Sequence, residues 1–509
     1  MNIDSSNRSF AENLSSAENE QALAEHIRSQ RAEIFSQLAE LIAFNSVYLP
    51  DNPQLKEEHT NAGNWVDAAL TEAGLQVDAI QTVDGSTTYL ASSPKIEGAP
   101  TVLLYSHYDV VLAGDPTDWT ADPFTLTERD GRWYARGAAD CKGSLAMHLA
   151  GLRAVDATVG LDNLGINLRV LVEGSEEQGG DGLDKLIKQR PELFQADVML
   201  IADGGNVAAG TPTITTALRG GAQLKVSVDT LRAPVHSGLF GGVAPDATLA
   251  LMRALQSLYD ESGHTVITGF EPTDEPQWHW DGASYDPQTF RSDAGVLDGV
   301  GLHGKDTDAE IASQLWSRPA ATITAFTSRP TSDVVNAVTH HAEAVVNLRV
   351  PFHLDTQDVV DAAAQQIRDA VPFNAHIEVT AEDVFSPFST STESAAFDVF
   401  ESSMATAFGR EVQNTGNGAS IPLTTALAEA NPDADIAVYG LCEPQTTIHS
   451  PDESVDPEEI IRLATTEALF ITRLAAQTAQ AAQAAQNSQG TESTQATQTT
   501  QATGTNSEG

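Results

Sequence analysis

The chain has 509 residues and carries 27 Lys and Arg against 71 Asp and Glu, a formal net charge of −44 at pH 7. So acidic a surface repels nucleic acid and anionic membrane, no apolar run reaches the ~18 residues of a membrane span, and 41% hydrophobic residues suffice for a globular enzyme. The length calls for more than one core, and two cysteines, Cys141 and Cys442, build no disulfide framework. With no basic segment followed by an apolar one at the N-terminus, a cytoplasmic protein without a signal peptide is expected.

Glu25 to Phe44 places Ile27, Ile34, Leu38, Leu41 and Ile42 at helical spacing, and Asn64 to Ala73 reads as an amphipathic helix. Thr101 to Ser106 is an apolar run suited to a buried strand. Ser144 to Val155 is helical, and Ile166 to Glu173 and Val198 to Ala202 are strands. This alternation predicts an α/β layer with a mostly parallel sheet.

Around Thr213 the pattern changes. Thr213 to Ala217 and Gln223 to Val228 read as strands of a hairpin-type sheet, followed by a helix at Thr248 to Leu258. Strands at Ala320 to Phe326 and Ala342 to Val350, a helix at Asp355 to Ala370 and a strand at His376 to Val384 complete the block. The mixed order suggests a smaller α+β domain over 213–385, inserted between catalytic segments 1–212 and 386–476. The α/β pattern resumes with a helix at Ala395 to Phe408, a strand at Ile436 to Tyr439 and a helix from Pro457 to about Ala475. The tail, 477–509, is almost wholly Gln, Ala, Thr, Ser, Gly and Asn, and is expected to be disordered because it has little apolar surface to bury.

Several short segments put metal-binding side chains at strand ends or in tight loops. In Ser106-His107-Tyr108-Asp109, residues i and i+2 of an extended chain point the same way, so His107 could meet a metal while Asp109 orients it. An isolated His-x-Asp is equally a structural pair. Small residues surround Asp140, whose carboxylate could bridge two cations or simply cap the next helix. Glu176 and Glu177 follow a buried strand between glycines, where a cation would relieve their repulsion. One could ligate and the other act as general base, or both could lie in a solvated loop. Asp203 stands at the C-terminal end of a strand, the edge where open α/β sheets bind ligands, although a helix cap would also explain it. His449 lies in a long loop before the last helix, where a surface histidine is the plain alternative. Taken together, two histidines, three carboxylate ligands and a spare glutamate are the inventory of a two-metal hydrolytic site, suiting Zn²⁺ with Mn²⁺ or Co²⁺ as alternatives.

The runs SHYDVV, DWTADPFTLTERDGRWYARGAADCKG, EGSEEQGGDGL, IADGGN, HSGLFGG and TTIHSPDE occur in an order that resembles the di-zinc peptidase family of aminoacylases, carnosinases, bacterial dipeptidases and glutamate carboxypeptidases. The resemblance spans about residues 20 to 475 and implies a catalytic α/β domain interrupted by a lid domain that mediates homodimerisation. Carried over, it makes Asp140 the bridging ligand, with His107 and Asp203 on one metal and Glu177 and His449 on the other. Glu176 becomes the general base for a water activated by the two metals, and Asp109 the support of His107. It implies that His236 polarises the scissile carbonyl, that Asn336 and Arg349 grip the substrate's carboxylate end, and that Gly418 gives a backbone contact. Two positions depart from the family pattern: Cys141 stands where an acidic residue is common, and Gly418-Ala419-Ser420 replaces a Gly-Gly-Ser loop. Asp203, where carboxypeptidase-like relatives often carry Glu, leans towards a dipeptidase. An N-acyl amino acid deacylase, a carboxypeptidase and a non-catalytic binding protein of the same fold are the other readings. His279 and the pair His340-His341 are expected to be surface or packing residues.

Overall fold

The computed structural model describes residues 14–179, 181–271, 285–304, 308–327 and 331–502. His279 lies outside the described residues. The chain forms two compact units. One takes in the described residues up to Thr213, together with Thr392–Val412 and the chain from Ala426 on; the other comprises Ile214–Ser391 and Gln413–Thr425.

In the first unit, the strand Thr101–His107 runs parallel to Asn167–Glu173 on one side and to Val198–Ile201 on the other, and Asp435–Val438 lies parallel beyond the latter. Gln76–Gln81 and Thr87–Ser92 add an antiparallel edge next to Asn167–Glu173. The central strands are apolar on both faces because helices cover both, as expected for parallel strands joined by helical crossovers. The helix Lys142–Thr158, buried along most of its length, packs against the Thr101–His107 strand and the final helix. The C-terminal ends of the parallel strands therefore emerge along one edge, and each is followed by a loop that carries acid or imidazole side chains.

The expected helix over 25–44 is two helices, Ala17–Ser29 and Arg31–Ile42, meeting at Gln30. The break lets each bury its own apolar stripe, Leu23 and Ile27 in the first and Ile34, Leu38, Leu41 and Ile42 in the second. The expected pairing of 213–217 with 223–228 is also absent. Thr213–Leu218 pairs with Phe388–Ser389 and with Gln413–Asn417, whereas Gly220–Asp229 lies in a separate four-stranded antiparallel sheet between His341–Val350 and His376–Phe385, with Ala320–Thr327 at the edge. The turn between the two strands thus sends the chain from one sheet to another. Those pairings explain why 386–391 and 413–425 belong to the second unit instead of the catalytic segment expected to begin at 386. The core of this unit is built from alternate residues of its strands, such as Leu224, Val226, Val228, Val346 and Leu348, covered by helices Ala247–Gln256 and Thr356–Ala370.

The final helix, Pro457–Ala502, continues through most of the segment expected to lack structure. Composition argues only about packing, whereas the Ala and Gln that open this segment are favourable helix formers. Burial ends at Ala476, and none of the side chains from Gln477 to Ala485 is buried. Truncation after Gln477 should therefore shift Tm by less than about 2 °C, since exposed positions contribute little to stability. A larger drop in a thermal melt would mean that the tail packs against the body.

Candidate metal centre

His107, the last residue of its strand, is fully buried. Its Nδ1 faces the Asp109 carboxylate at 3.3 Å, and its Nε2 lies 3.0 Å from Asp140 Oδ1 and 3.5 Å from Asp203 Oδ1. The two oxygens of Asp109, also fully buried, accept the backbone N–H groups of Glu176 at 3.2 Å and Glu177 at 3.0 Å. One carboxylate thus orients the imidazole and pins the short 3₁₀ turn Glu176–Gln178 beside it.

Asp140 does not cap the following helix, whose N-cap is Cys141 with no side-chain cap bond. It stands between two imidazoles instead, with His107 on Oδ1 and His449 Nε2 3.1 Å from Oδ2. His449 Nε2 is also 3.2 Å from Glu177 Oε2, while Glu177 Oε1 is buried without a partner. The structure thus brings His107, Asp109, Asp140, Glu176, Glu177, Asp203 and His449 into one cluster. Of these, His449 is the most open to solvent.

Burial works against the charge on Asp140, yet the two imidazoles hold its acid well below the usual carboxylate range. Hydrogen bonds to Asp140 and Glu177 push the His449 imidazolium up to about 10. His107 is likewise raised: burial opposes its charge, but the surrounding groups, Asp109, Asp140 and Asp203 among them, outweigh it. Glu176, Glu177 and Asp203 are shifted upwards chiefly by burial, reinforced by one another and by neighbouring acids. Carboxylates here outnumber their protein counter-charges, and the two imidazoles are drawn towards the cationic form to compensate.

Such a set fits divalent cations. Ligand atoms of His107, Asp140 and Glu177 lie within 4.8 Å of one another, and so do those of His107, Cys141 and Asp203. Imidazole nitrogens and carboxylate oxygens, including the orphaned Glu177 oxygen, are donors suited to zinc or a similar ion. The Cys141 thiol sits within this reach but donates its proton to the Ala202 carbonyl at 3.3 Å.

Glu453, the last residue of the TTIHSPDE run but given no role by it, ties the loops of Asp140 and His449 together. It is fully buried and ion-paired with Arg136 at 2.5 Å. Its oxygens also accept the backbone N–H groups of Gly137 at 3.0 Å, Ala139 at 3.0 Å and Asp140 at 3.1 Å. A small sheet joins the same segments, with Ser454–Val455 paired to Arg132–Tyr134. Thr447, His449 and Asp452 all adopt positive φ, between 49° and 60°, so the intervening loop is held in a conformation that side chains disfavour. No side-chain pattern signals such a residue, because most of its partners are backbone amides more than 300 positions earlier.

The other expected site residues belong to the second unit. His236 pairs with Ala337 in a two-residue ladder, and Ser237 N–H donates to the Asn336 carbonyl at 2.9 Å. The exposed His236 ring uses Nδ1 to accept the Gly238 N–H. Arg349 and Gly418 lie near one another: Arg349 Nη1 donates to Ser420 Oγ at 2.9 Å, and the Gly418 carbonyl accepts from Arg219 Nε at 3.1 Å. Arg219 was not singled out from sequence, and Ser420 was noted only as part of the Gly418-Ala419-Ser420 loop. His341 pairs with Asp229 at 2.9 Å and Glu343 at 3.1 Å.

Replacing Glu453 by Gln puts an amide N–H where backbone N–H groups now donate. Metal affinity should fall about 10- to 100-fold, as for other supporting groups around ligands. A chelator-competition titration checks this, and an unchanged affinity would show that the loop holds Asp140 without Glu453.

Comparison with known proteins bears on this site. The model of Peptidase family M20/M25/M40 matches residues 103–473. The chain is 49% identical over 449 residues to a cysteinylglycine-S-conjugate dipeptidase of Corynebacterium striatum, covering 88% of this chain and 96% of that protein. It is 26% identical over 430 residues to the human Beta-Ala-His dipeptidase, covering 80% and 83%. The crystal structure of human carnosine dipeptidase 1 superposes with a TM-score of 0.75 at 23% identity, over 90% of this chain and 98% of that one, and so shares the fold. With the family model covering most of the chain and the cluster of imidazoles and carboxylates lying inside the matched region, the chain belongs to Peptidase family M20/M25/M40 and is a metallopeptidase.

Proposed function

We propose that this enzyme hydrolyses the amide bond of dipeptides with a free carboxylate, and that S-conjugates of cysteinylglycine are the substrate class to test first. The observation that carries the reading is the Glu176–Glu177 turn: one glutamate is held among the ligand set while its neighbour, pinned by the same Asp109 carboxylate, remains available as a base. The substrate class rests on the similarity to the Corynebacterium striatum dipeptidase over nearly the full length of both chains.

In this reading His107, Asp140 and Asp203 hold one ion and Asp140, Glu177 and His449 the other, with zinc the proposed metal and manganese or cobalt as alternatives. When bound, such ions polarise the scissile carbonyl and make water a better nucleophile at neutral pH. Glu176 accepts the proton of the attacking water as the C–O bond forms. It then delivers that proton to the amine nitrogen as the C–N bond breaks, so the base is regenerated. Asp109 keeps His107 in the tautomer whose Nε2 lone pair is free to ligate. His236 serves as an electrophilic donor to the developing oxyanion, and Asn336, Arg349 and the Gly418 backbone as contacts to the substrate's carboxylate end.

The second unit is proposed as a lid and dimerisation domain in a cytoplasmic homodimer. Leu239, Phe240 and Val243 are exposed, as are Leu249 and Met252 on the outer face of Ala247–Gln256. An apolar patch of this kind is suited to a second copy.

Glu176→Gln should lower kcat by about 100-fold or more while metal content is unchanged, whereas Glu177→Gln should lose metal first. Steady-state kinetics with elemental analysis separates the two, and the reverse pattern would exchange the roles. Turnover that survives exhaustive chelation would remove the metal-dependent reading altogether. For the oligomer, Met252→Glu should shift the sedimentation coefficient from dimer to monomer; a wild type that sediments as a monomer would contradict the dimer.

A further inference from the structure

Arg219 is the second unit's most unusual cation. It follows the strand Thr213–Leu218, and only 9% of it is exposed. Its Nε donates to the Gly418 carbonyl, but its Nη1 is buried and has no partner. Burial pulls the guanidinium down to about 10, and the charge of nearby Arg349 adds to the effect. Arg349 approaches the same Gly418–Ser420 loop, with Nη1 on Ser420 Oγ and Nε on Asn347 Oδ1 at 3.0 Å. Ser420 in turn donates its hydroxyl proton to the Arg219 backbone carbonyl.

Among the described residues, neither guanidinium is ion-paired with a carboxylate. In a chain with 71 acidic residues against 27 basic ones, that is hard to ascribe to a shortage of partners. Another deeply buried guanidinium, that of Arg136, is neutralised by Glu453. Two neighbouring cations in a desolvated place disfavour the unliganded fold unless an anion joins them. Local sequence preserves the space: a Cβ on Gly418 would lie 2.7 Å from Arg219 Nη2, so glycine there leaves the guanidinium room.

We propose that Arg219 is a substrate-binding residue whose unpartnered Nη1, together with Arg349, forms a paired-guanidinium site for one carboxylate, the free C-terminal carboxylate of the dipeptide. The identity of the ligand rests on the dipeptidase reading; the anion site itself does not. A planar fork supplies two parallel N–H donors to a carboxylate, and an amide in the same place would present an N–H to a donor. The site therefore selects free acids over amides through charge and hydrogen bonding together.

The test uses the metal-loaded full-length protein with alanylglycine and alanylglycinamide as substrates, for the wild type, Arg219→Met and Arg219→Lys. The wild type should prefer the free acid. Arg219→Met should raise KM for the acid about tenfold or more with kcat within about threefold, while KM for the amide moves by less than about twofold. Arg219→Lys, which keeps the charge but not the fork, should recover part of the discrimination. A purely structural role would lower turnover of both substrates alike or reduce metal content, and either result would overturn the proposal. One arm needs no variant: glycine should inhibit the wild type competitively at lower concentration than glycinamide, and equal inhibition would also overturn it. A wild type that binds metal and favours glycine over glycinamide, measured by calorimetry, yet cleaves no dipeptide would refute the dipeptidase reading and leave the anion site standing.

Discussion

Asp140 receives an imidazole on each of its carboxylate oxygens, one from a strand end before it and one from a loop more than 300 residues after it. Holding that carboxylate between them requires agreement among the parallel sheet, the Ala135–Cys141 loop and the segment from Gly440 to Ser454. Hydrophobic packing of the central strands positions His107 and Asp203. The loop of Asp140 hangs on Glu453, whose carboxylate collects three backbone N–H groups and one guanidinium, and the short ladder between Ser454–Val455 and Arg132–Tyr134 locks the two loops in register.

The same arrangement concentrates negative charge where water is scarce. An uncompensated buried carboxylate is expensive, and several lie here within reach of two imidazoles. In the described residues this charge raises the proton affinity of His107 and His449, and backbone donors are supplied to Asp109 and Glu453. Divalent ions answer the same demand more fully, because each can neutralise two charges and accept lone pairs from oxygen and nitrogen at once. Positive-φ backbone at Thr447, His449 and Asp452 is part of the cost of presenting His449 from a loop.

In the second unit the imbalance is reversed. Among the described residues Arg219 and Arg349 have no carboxylate ion pair, in a strongly acidic chain, and the loop that carries Gly418 and Ser420 supplies only neutral acceptors. The two clusters are opposite in charge, carboxylates in excess in the first and guanidinium groups in the second.

Much of this was legible in the chain itself. The parallel strands follow from apolar runs too short for helices and bounded by loops. His107, Asp140, Glu176, Glu177 and Asp203 stood out because each sits at or just after a strand end or among small residues, where a functional side chain needs room, and His449 as the one histidine of a long loop before the last helix. Other features were not legible. The separation of Thr213–Leu218 from Gly220–Asp229 depends on which partners each strand finds, and partner choice is a property of the whole sheet. Glu453 lay inside the TTIHSPDE run without a role and Arg219 outside every run, because one is recognised by its backbone partners and the other by a partner it does not have. Sequence determined which residues could ligate, which segments could be buried and which elements would form, since these follow from side-chain chemistry and local periodicity. Only the tertiary structure decided that Asp140 would lie between two imidazoles, that Glu453 would hold its loop, and that two arginines would share one neighbourhood with no carboxylate ion pair among the described residues, because each depends on distances between residues far apart in the chain.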